Sequence, residues 1–168
     1  MPRPYVSKSK FKEAIQLINA GQADKAEALC RDAVEHDPRD ANMVALLGAT
    51  LLKIKQPVEA EKFLRQAIDL APSFAKPQED LGTLLLEENR SEEAVNFLQN
   101  ATRLDPQAEL AFFNLGRALI MLGRGAEADK AFEASFELNP ERKKLALAAD
   151  HHRNGRLEEA RQLYREVL

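Results

Sequence analysis

The segment ANMVALLGATLLKIKQPVEAEKFLRQAIDLAP, residues 41–72, indicates how the chain is organised, because its pattern returns at a fixed interval along the sequence. Its final residue belongs to a set of prolines that stand 34 residues apart: Pro38, Pro72, Pro106 and Pro140. The chain has only eight prolines, and three equal intervals in succession would be roughly a one-in-ten-thousand accident. The sequence therefore predicts an internal repeat.

Small and large residues recur in the same phase as these prolines. Small residues stand twelve positions before each proline, at Ala26, Ala60, Ala94 and Ala128. Residues that fill space stand eight positions before it, at Cys30, Leu64, Leu98 and Phe132, and small ones return 24 positions before it, at Ala14, Gly48, Gly82 and Gly116. A small residue in mid-helix lets a second helix approach closely, and a large apolar residue fills the space beside it. Each unit is thus predicted to be a hairpin of a helix A and a helix B.

Turn signals set the helix boundaries. In the second unit we expect helix A over residues 41–54 and helix B over residues 57–70, because Pro57 suits the first turn of a helix, where its missing N–H needs no partner. Between A and B stand residues that favour the left-handed end of a helix: Gly21, Asn89, Gly123 and Gly155. Lys55 is the exception, in the second unit. On helix B of that unit, Glu61 and Arg65 are i, i+4 neighbours that we expect to support only their own helix.

The period, the small-residue phase and the closing proline resemble the tetratricopeptide (TPR) repeat, whose pattern is roughly L-G-x-x-Y, then A-x-x-x-F, A and P. The clearest matches are Leu47-Gly48 with Leu51, Ala60, Leu64, Ala67 and Pro72, and Leu115-Gly116 with Leu119, Ala128, Phe132, Ser135 and Pro140. This resemblance covers nearly the whole chain. It implies an all-α fold, a TPR α-solenoid forming a right-handed superhelix of about five helical hairpins.

The repeat phase also predicts the domain organisation. We expect a disordered lead-in over residues 1–6, then one array with units near 7–40, 41–74, 75–108, 109–140 and 141–168. The last unit begins two residues early and is incomplete, so that Leu163, Tyr164, Val167 and Leu168 have no following unit to cover them. From this we expect either that the chain is the front part of a longer protein or that its open end meets another chain.

Composition limits the function classes. A net charge of -3 argues against binding of nucleic acid, which requires a basic stripe. A single cysteine, Cys30, at a core position excludes a disulfide framework. The sequence has neither a long apolar run nor a signal peptide, so we expect a cytoplasmic protein that does not bind membranes.

Catalytic patterns are missing from the sequence. Phosphate-binding and nucleophile-elbow motifs do not occur. His151 and His152 are adjacent on a predicted helix and point about 100° apart, so they cannot chelate one ion together. We expect no enzymatic activity of the chain itself, no cofactor and no metal.

A stack of hairpins offers a concave groove, and the resemblance implies that helix-A positions 2, 5, 6, 9, 12 and 13 face into it. The candidate groove-binding residues are Lys53, Glu79, Asp80, Phe113, Asn114, Arg117, Ile120 and Arg153. Asn114 looks like the asparagine with which long TPR arrays hold a peptide backbone, or it makes a local structural hydrogen bond. Phe113, Ile120 and Met121 form an apolar patch that either receives a ligand anchor or packs against the fifth unit.

These features predict a scaffold that binds a protein or peptide segment and performs no chemistry. One alternative is the N-terminal array of a larger bacterial transferase, since the fifth-unit residues 148–168 resemble repeats that precede a sulfotransferase or glycosyltransferase domain. A third hypothesis is a homo-oligomer that assembles through the open C-terminal end.

Overall fold

A computed structural model of the protein describes residues 4–167, with side chains from residue 8 onward. This part of the chain is all-α, as predicted. It contains ten helices and no strand: α1 (Pro4–Asn19), α2 (Ala23–His36), α3 (Ala41–Lys53), α4 (Pro57–Leu70), α5 (Ala75–Glu87), α6 (Ser91–Leu104), α7 (Glu109–Met121), α8 (Gly125–Leu138), α9 (Pro140–Arg153) and α10 (Leu157–Val167).

The ten helices form five hairpins, α1/α2 to α9/α10, which pack in chain order. Each odd-numbered helix is the helix A of its hairpin and each even-numbered helix is the helix B. Helix B of one hairpin contacts helix A of the next, and the A helices α1, α3, α5 and α7 also contact one another in sequence. Contacts only between neighbours are characteristic of a solenoid.

The predicted turn positions are confirmed. α4 has the predicted bounds, Pro57–Leu70, and α3 ends at Lys53, one residue before the predicted end. Left-handed backbone angles occur at the four expected residues: Gly21 (φ 73), Asn89 (φ 62), Gly123 (φ 71) and Gly155 (φ 75). Lys55 adopts the same conformation, with φ 59. The turn therefore imposes this angle even where the sequence lacks a glycine or an asparagine, at a cost of about 1–2 kcal/mol.

Close packing within each hairpin depends on the mid-helix glycines. A methyl group added at Gly82 would lie 2.6 Å from Cγ of Leu98, and one at Gly48 would lie 2.9 Å from Cγ of Leu64. Each of these glycines therefore faces the large residue of helix B. That large residue lies four positions after a fully buried alanine, Ala60 in the second hairpin and Ala94 in the third. The apolar core built from these contacts runs from Ala14 in α1 to Ala131 in α8.

Two expectations from the sequence require correction. Pro4, Tyr5 and Val6, expected in a disordered lead-in, belong to α1, because a proline fits the first turn of a helix; residues 1–3 lie outside the described part. Glu61 and Arg65 do more than support their own helix. Glu61 also pairs with Arg90, and Arg65 with Glu93, so these side chains join the second and third hairpins.

The junction before the fifth hairpin differs from the others. Four residues separate helix B from the next helix A at residues 37–40, 71–74 and 105–108, whereas Asn139 alone separates α8 from α9. Pro140 therefore starts a helix, while the equivalent prolines lie in turns. Within the described residues the backbones of α9 and α7 do not pack closely, as those of the preceding A helices do, and only the Arg142 side chain is seen to reach α7.

At the C-terminal end, Leu163, Tyr164 and Val167 are each partly exposed, and Leu168 lies outside the described part. Among the described helices, none is both long and apolar enough to span a membrane.

Candidate functional site

The candidate groove residues come from four A helices. Lys53 lies at the end of α3, Glu79 and Asp80 lie on α5, four residues lie on α7, and Arg153 ends α9. Their exposure differs: Lys53, Arg117, Ile120 and Arg153 are exposed, whereas Glu79 and Asn114 are buried. The helices therefore present to solvent only part of the predicted set.

The two candidate carboxylates on α5, Glu79 and Asp80, share one lysine on the same helix. The Lys76 Nζ atom lies 2.5 Å from Glu79 Oε1 and 3.0 Å from Asp80 Oδ1. Burial raises the pKa of Asp80 above its usual range, against the opposing effect of the Lys76 ammonium. These carboxylates are thus engaged inside the protein, and Lys53 contributes a further positive charge near Asp80.

Asn114 makes structural hydrogen bonds within the array. Its side chain is only 2% exposed; Nδ2 donates to Thr83 Oγ1 at 3.0 Å, and Oδ1 accepts from an Arg117 guanidinium nitrogen at 3.1 Å. The local alternative raised by the sequence is thus the one that the geometry supports. The bond to Thr83 joins α7 to α5, and the bond from Arg117 orients a guanidinium that remains exposed.

The apolar patch on α7 divides into two parts. Ile120 is 54% exposed and Met121 is 51% exposed, and Leu110 at the other end of the helix is 41% exposed. Phe113 instead packs inside the chain, edge-on to Phe132 with ring centroids 5.5 Å apart. Its other neighbour is the guanidinium of Arg142 in the fifth hairpin, 4.5 Å from the ring centroid. Phe113 therefore packs against the fourth and fifth hairpins, as one of the two alternatives predicted. Leu110, Ile120 and Met121 remain available to a ligand.

A cleft of about 850 Å³ opens between the fourth and fifth hairpins. It is lined by Phe113, Asp129, Phe132, Glu133, Phe136, Ala146, Ala149, His152, Arg153 and Tyr164. The residues from α8 were not anticipated, because helix B was expected to lie outside the groove. Two features of the sequence indicate this cleft: the early start of the fifth unit, and two phenylalanines four residues apart on α8.

One end of the cleft is fixed by a polar cluster. Glu109 Oε1 accepts from Ser135 Oγ at 2.6 Å and lies 2.5 Å from Nε of Arg142. These contacts hold the first turn of α9 against α7 and α8. Further along α9, the lining residues Ala146, Ala149 and Arg153 are exposed.

The described residues include no cluster of three or more side chains suited to a metal ion. Burial raises the pKa of the Cys30 thiol to about 11, so this thiol stays protonated at neutral pH. Cys30 is consequently a packing residue and a poor nucleophile.

Comparisons with known proteins agree with the repeat architecture. A family model described as Tetratricopeptide repeat matches residues 17–79 and 85–150, and a second with the same description matches residues 144–166. No curated protein sequence matches the chain significantly.

Three solved structures illustrate the similarity of fold. The chain is 26% identical to PilF of Pseudomonas aeruginosa, with a TM-score of 0.81 over 99% of this chain and 77% of that one. It is 22% identical to a thermophilic TPR protein of Thermus thermophilus, with a TM-score of 0.76 over 96% and 90% of the two chains. MamA of Desulfovibrio magneticus is 17% identical, with a TM-score of 0.75 over 96% and 92%. Because the family pattern matches well over half of the residues and the fold agrees, the chain belongs to the tetratricopeptide repeat family.

Proposed function

We propose that the chain binds a polypeptide segment of a partner protein along its concave face, with α7 as the central contact helix. The observation that carries this proposal is the row of exposed apolar side chains on α7, Leu110, Ile120 and Met121, beside the exposed Arg117. Solvated apolar side chains on an otherwise well-packed helix are typical of an interaction surface. Such a surface supports binding and requires no chemistry by the chain itself.

The two kinds of group have complementary roles in this proposal. Ile120 and Met121 lose contact with water when they receive an aliphatic or aromatic side chain. Arg117 is held by Asn114, so its guanidinium is oriented before a ligand arrives and can pair with a carboxylate of the segment. Asn114 has a positioning role here, because its own polar atoms are occupied.

The test uses a peptide selected for binding to the wild-type protein from a displayed random library. We expect Arg117→Ala with Ile120→Ala to weaken its binding by about tenfold, or about 1.4 kcal/mol. Both side chains are exposed, so that the fold should be retained. The matched control is Asp69→Ala with Asn96→Ala, on helices B of two other hairpins, which should leave the affinity unchanged. The reverse pattern would place the binding surface on the convex side.

A further inference from the structure

The cleft between the fourth and fifth hairpins has a cause in the chain itself. The single residue between α8 and α9 replaces the four-residue turn of the other junctions. The polar cluster of Glu109, Ser135 and Arg142 links the start of α9 to α7 and α8, but the backbones of α9 and α7 do not pack together as those of the other A helices do. The apolar surfaces that A helices bury against each other elsewhere therefore face an open space here.

The cleft has an aromatic floor suited to a helix. Phe132 and Phe136 lie one turn apart on α8, stacked with ring centroids 6.1 Å apart, and Phe113 meets Phe132 edge-on. The small residues Ala146 and Ala149 form the facing wall on α9. Ridges of side chains four residues apart on one helix pack into the grooves of another, and the cleft offers a volume of about 850 Å³ for such packing.

The side chains that α8 contributes to the rim of the cleft are acidic. Asp129 and Glu133 are exposed one turn apart, and neither forms an ion pair in the described part of the chain. α8 as a whole carries four carboxylates and one lysine. Across the cleft, Arg153 has a nearby carboxylate of its own, 3.8 Å away on Asp150.

A comparison with the second hairpin shows which ion-pair partner Asp129 and Glu133 lack in the described part of the chain. Asp129 and Glu133 stand where the second hairpin has Glu61 and Arg65, and Glu61 is bound there by Arg90 of the next hairpin. In the fifth hairpin the residue in the phase of Arg90 is Arg156, which pairs with Asp150 instead, at 3.2 Å. The acidic pair thus has the position, but not the partner, of an inter-hairpin ion pair.

We propose that this cleft binds a basic amphipathic helix of a partner protein. Large apolar side chains of the helix, spaced i, i+4 and i+7, insert against Phe132 and Phe136, and its lysines or arginines pair with Asp129 and Glu133. The inference rests on the proposed function, since the cleft opens at the C-terminal end of the groove, and it identifies the chemistry of the partner.

The probe is a synthetic amphipathic helical peptide of about 16 residues, roughly 24 Å long. It carries phenylalanine and leucine on one face and lysines beside them, and its twin has glutamates in place of the lysines. Fluorescence anisotropy with the full chain should show that the lysine peptide binds at least about tenfold tighter than its twin. In Asp129→Lys with Glu133→Lys this preference should disappear. A control with the same change of net charge is Glu35→Lys with Asp69→Lys, on α2 and α4, which should retain it.

The outcomes separate this inference from the proposed function. Equal binding of the two peptides, no binding of either, or an equal loss in the control variant overturns the cleft assignment. If binding of the lysine peptide depends on Arg117 and Ile120 but not on the acidic pair, the cleft assignment fails and the groove on α7 stands. If it depends on the acidic pair alone, and ¹⁵N chemical shifts move in α8 and α9 only, the cleft stands and the groove proposal fails.

Discussion

The junction between the second and third hairpins and the junction between the fourth and fifth use the same repeat phase with different results. At the first, a four-residue turn places α5 against both α3 and α4, and Glu61, Arg65, Arg90 and Glu93 form ion pairs across the outer surface. At the second, the turn is one residue and the phase-equivalent acids remain exposed. The packing of the solenoid therefore depends on turn length as well as on the apolar pattern of its helices.

The greatest loss of stability is expected inside the third hairpin, beside the closed junction, where Gly82 of α5 faces Leu98 of α6. Gly82→Leu places a branched side chain where even a methyl group would lie 2.6 Å from Leu98 Cγ, so we expect overpacking to lower the free energy of unfolding by about 3 kcal/mol. Urea denaturation measures this loss. Gly125→Ala is the control, because a methyl group there meets no atom within 4 Å. Equal stability of the Gly82→Leu variant and the wild type would contradict the assigned phase.

Lengthening the short turn should convert the open junction into a closed one. Inserting Gln-Ala between Pro140 and Glu141 recreates the Pro-Gln-Ala-Glu sequence of the preceding turn, residues 106–109. We expect α9 to pack against α7 and its amide hydrogen exchange to slow by about tenfold, or about 1.4 kcal/mol of local stability. Hydrogen exchange followed by mass spectrometry provides the measurement, with α3 as an internal reference that should not change. Faster exchange in α9 would show that the short turn does not cause the separation of α9 from α7.

A subtler comparison uses the same substitution in two hairpins, the third, which follows the closed junction, and the fourth, which borders the cleft. The three atoms nearest to a methyl group at Gly82 include the Leu98 backbone nitrogen, at 3.2 Å, whereas the three nearest to one at Gly116 are all ring atoms of Phe132, at 2.7 to 2.8 Å. Phe132 borders the cleft and can turn toward it. We therefore expect Gly82→Ala to cost about 1 kcal/mol more than Gly116→Ala. Thermal denaturation of the two variants tests the difference, and a larger loss for Gly116→Ala would mean that the ring has no room to move.

The weakest change is expected in the stability of the fold at low pH. The Arg90 guanidinium, and after it Arg65, hold the pKa of Glu61 below its usual range. A depressed carboxyl pKa stabilises the fold above the ordinary pKa of the group, and this contribution is lost as the pH falls through the folded-state pKa. Arg90→Gln should therefore flatten the decline of the melting temperature between about pH 6 and about pH 3. If the melting temperature of the variant declines at low pH as steeply as that of the wild type, the ion pairs of Arg90 are fully screened by solvent.

The sequence predicted the regular part of this molecule well, because each regular feature has a local cause. The 34-residue period located the hairpins, and glycine or asparagine located four of the five left-handed turns. Lys55 could not be recognised, since its conformation is imposed by the turn around it. The phase of Gly82 and Leu98 likewise predicted the close contact between their helices.

The candidate site was less predictable, because it depends on geometry between units. Glu79 was a candidate ligand contact, and Asn114 either a ligand contact or a local hydrogen-bonding residue; in the structure Lys76 pairs with Glu79, and Asn114 donates a hydrogen bond to Thr83. The cleft arises from an angle between hairpins, and a two-residue shortening in sequence does not specify that angle. Only the structure brings Phe113, Phe132 and Phe136 together with an acidic rim.

The apolar core that ends at Ala131 has a thermodynamic consequence. The buried residues of the fifth hairpin, Ala148 and Ala160, lie outside that core. In a nearly one-dimensional stack, each unit is stabilised by its neighbours, and a weakly coupled terminal unit unfolds and refolds on its own. A helix seated in the cleft would join the fifth hairpin to the fourth, so that part of the binding energy would appear as cooperativity between two folding units.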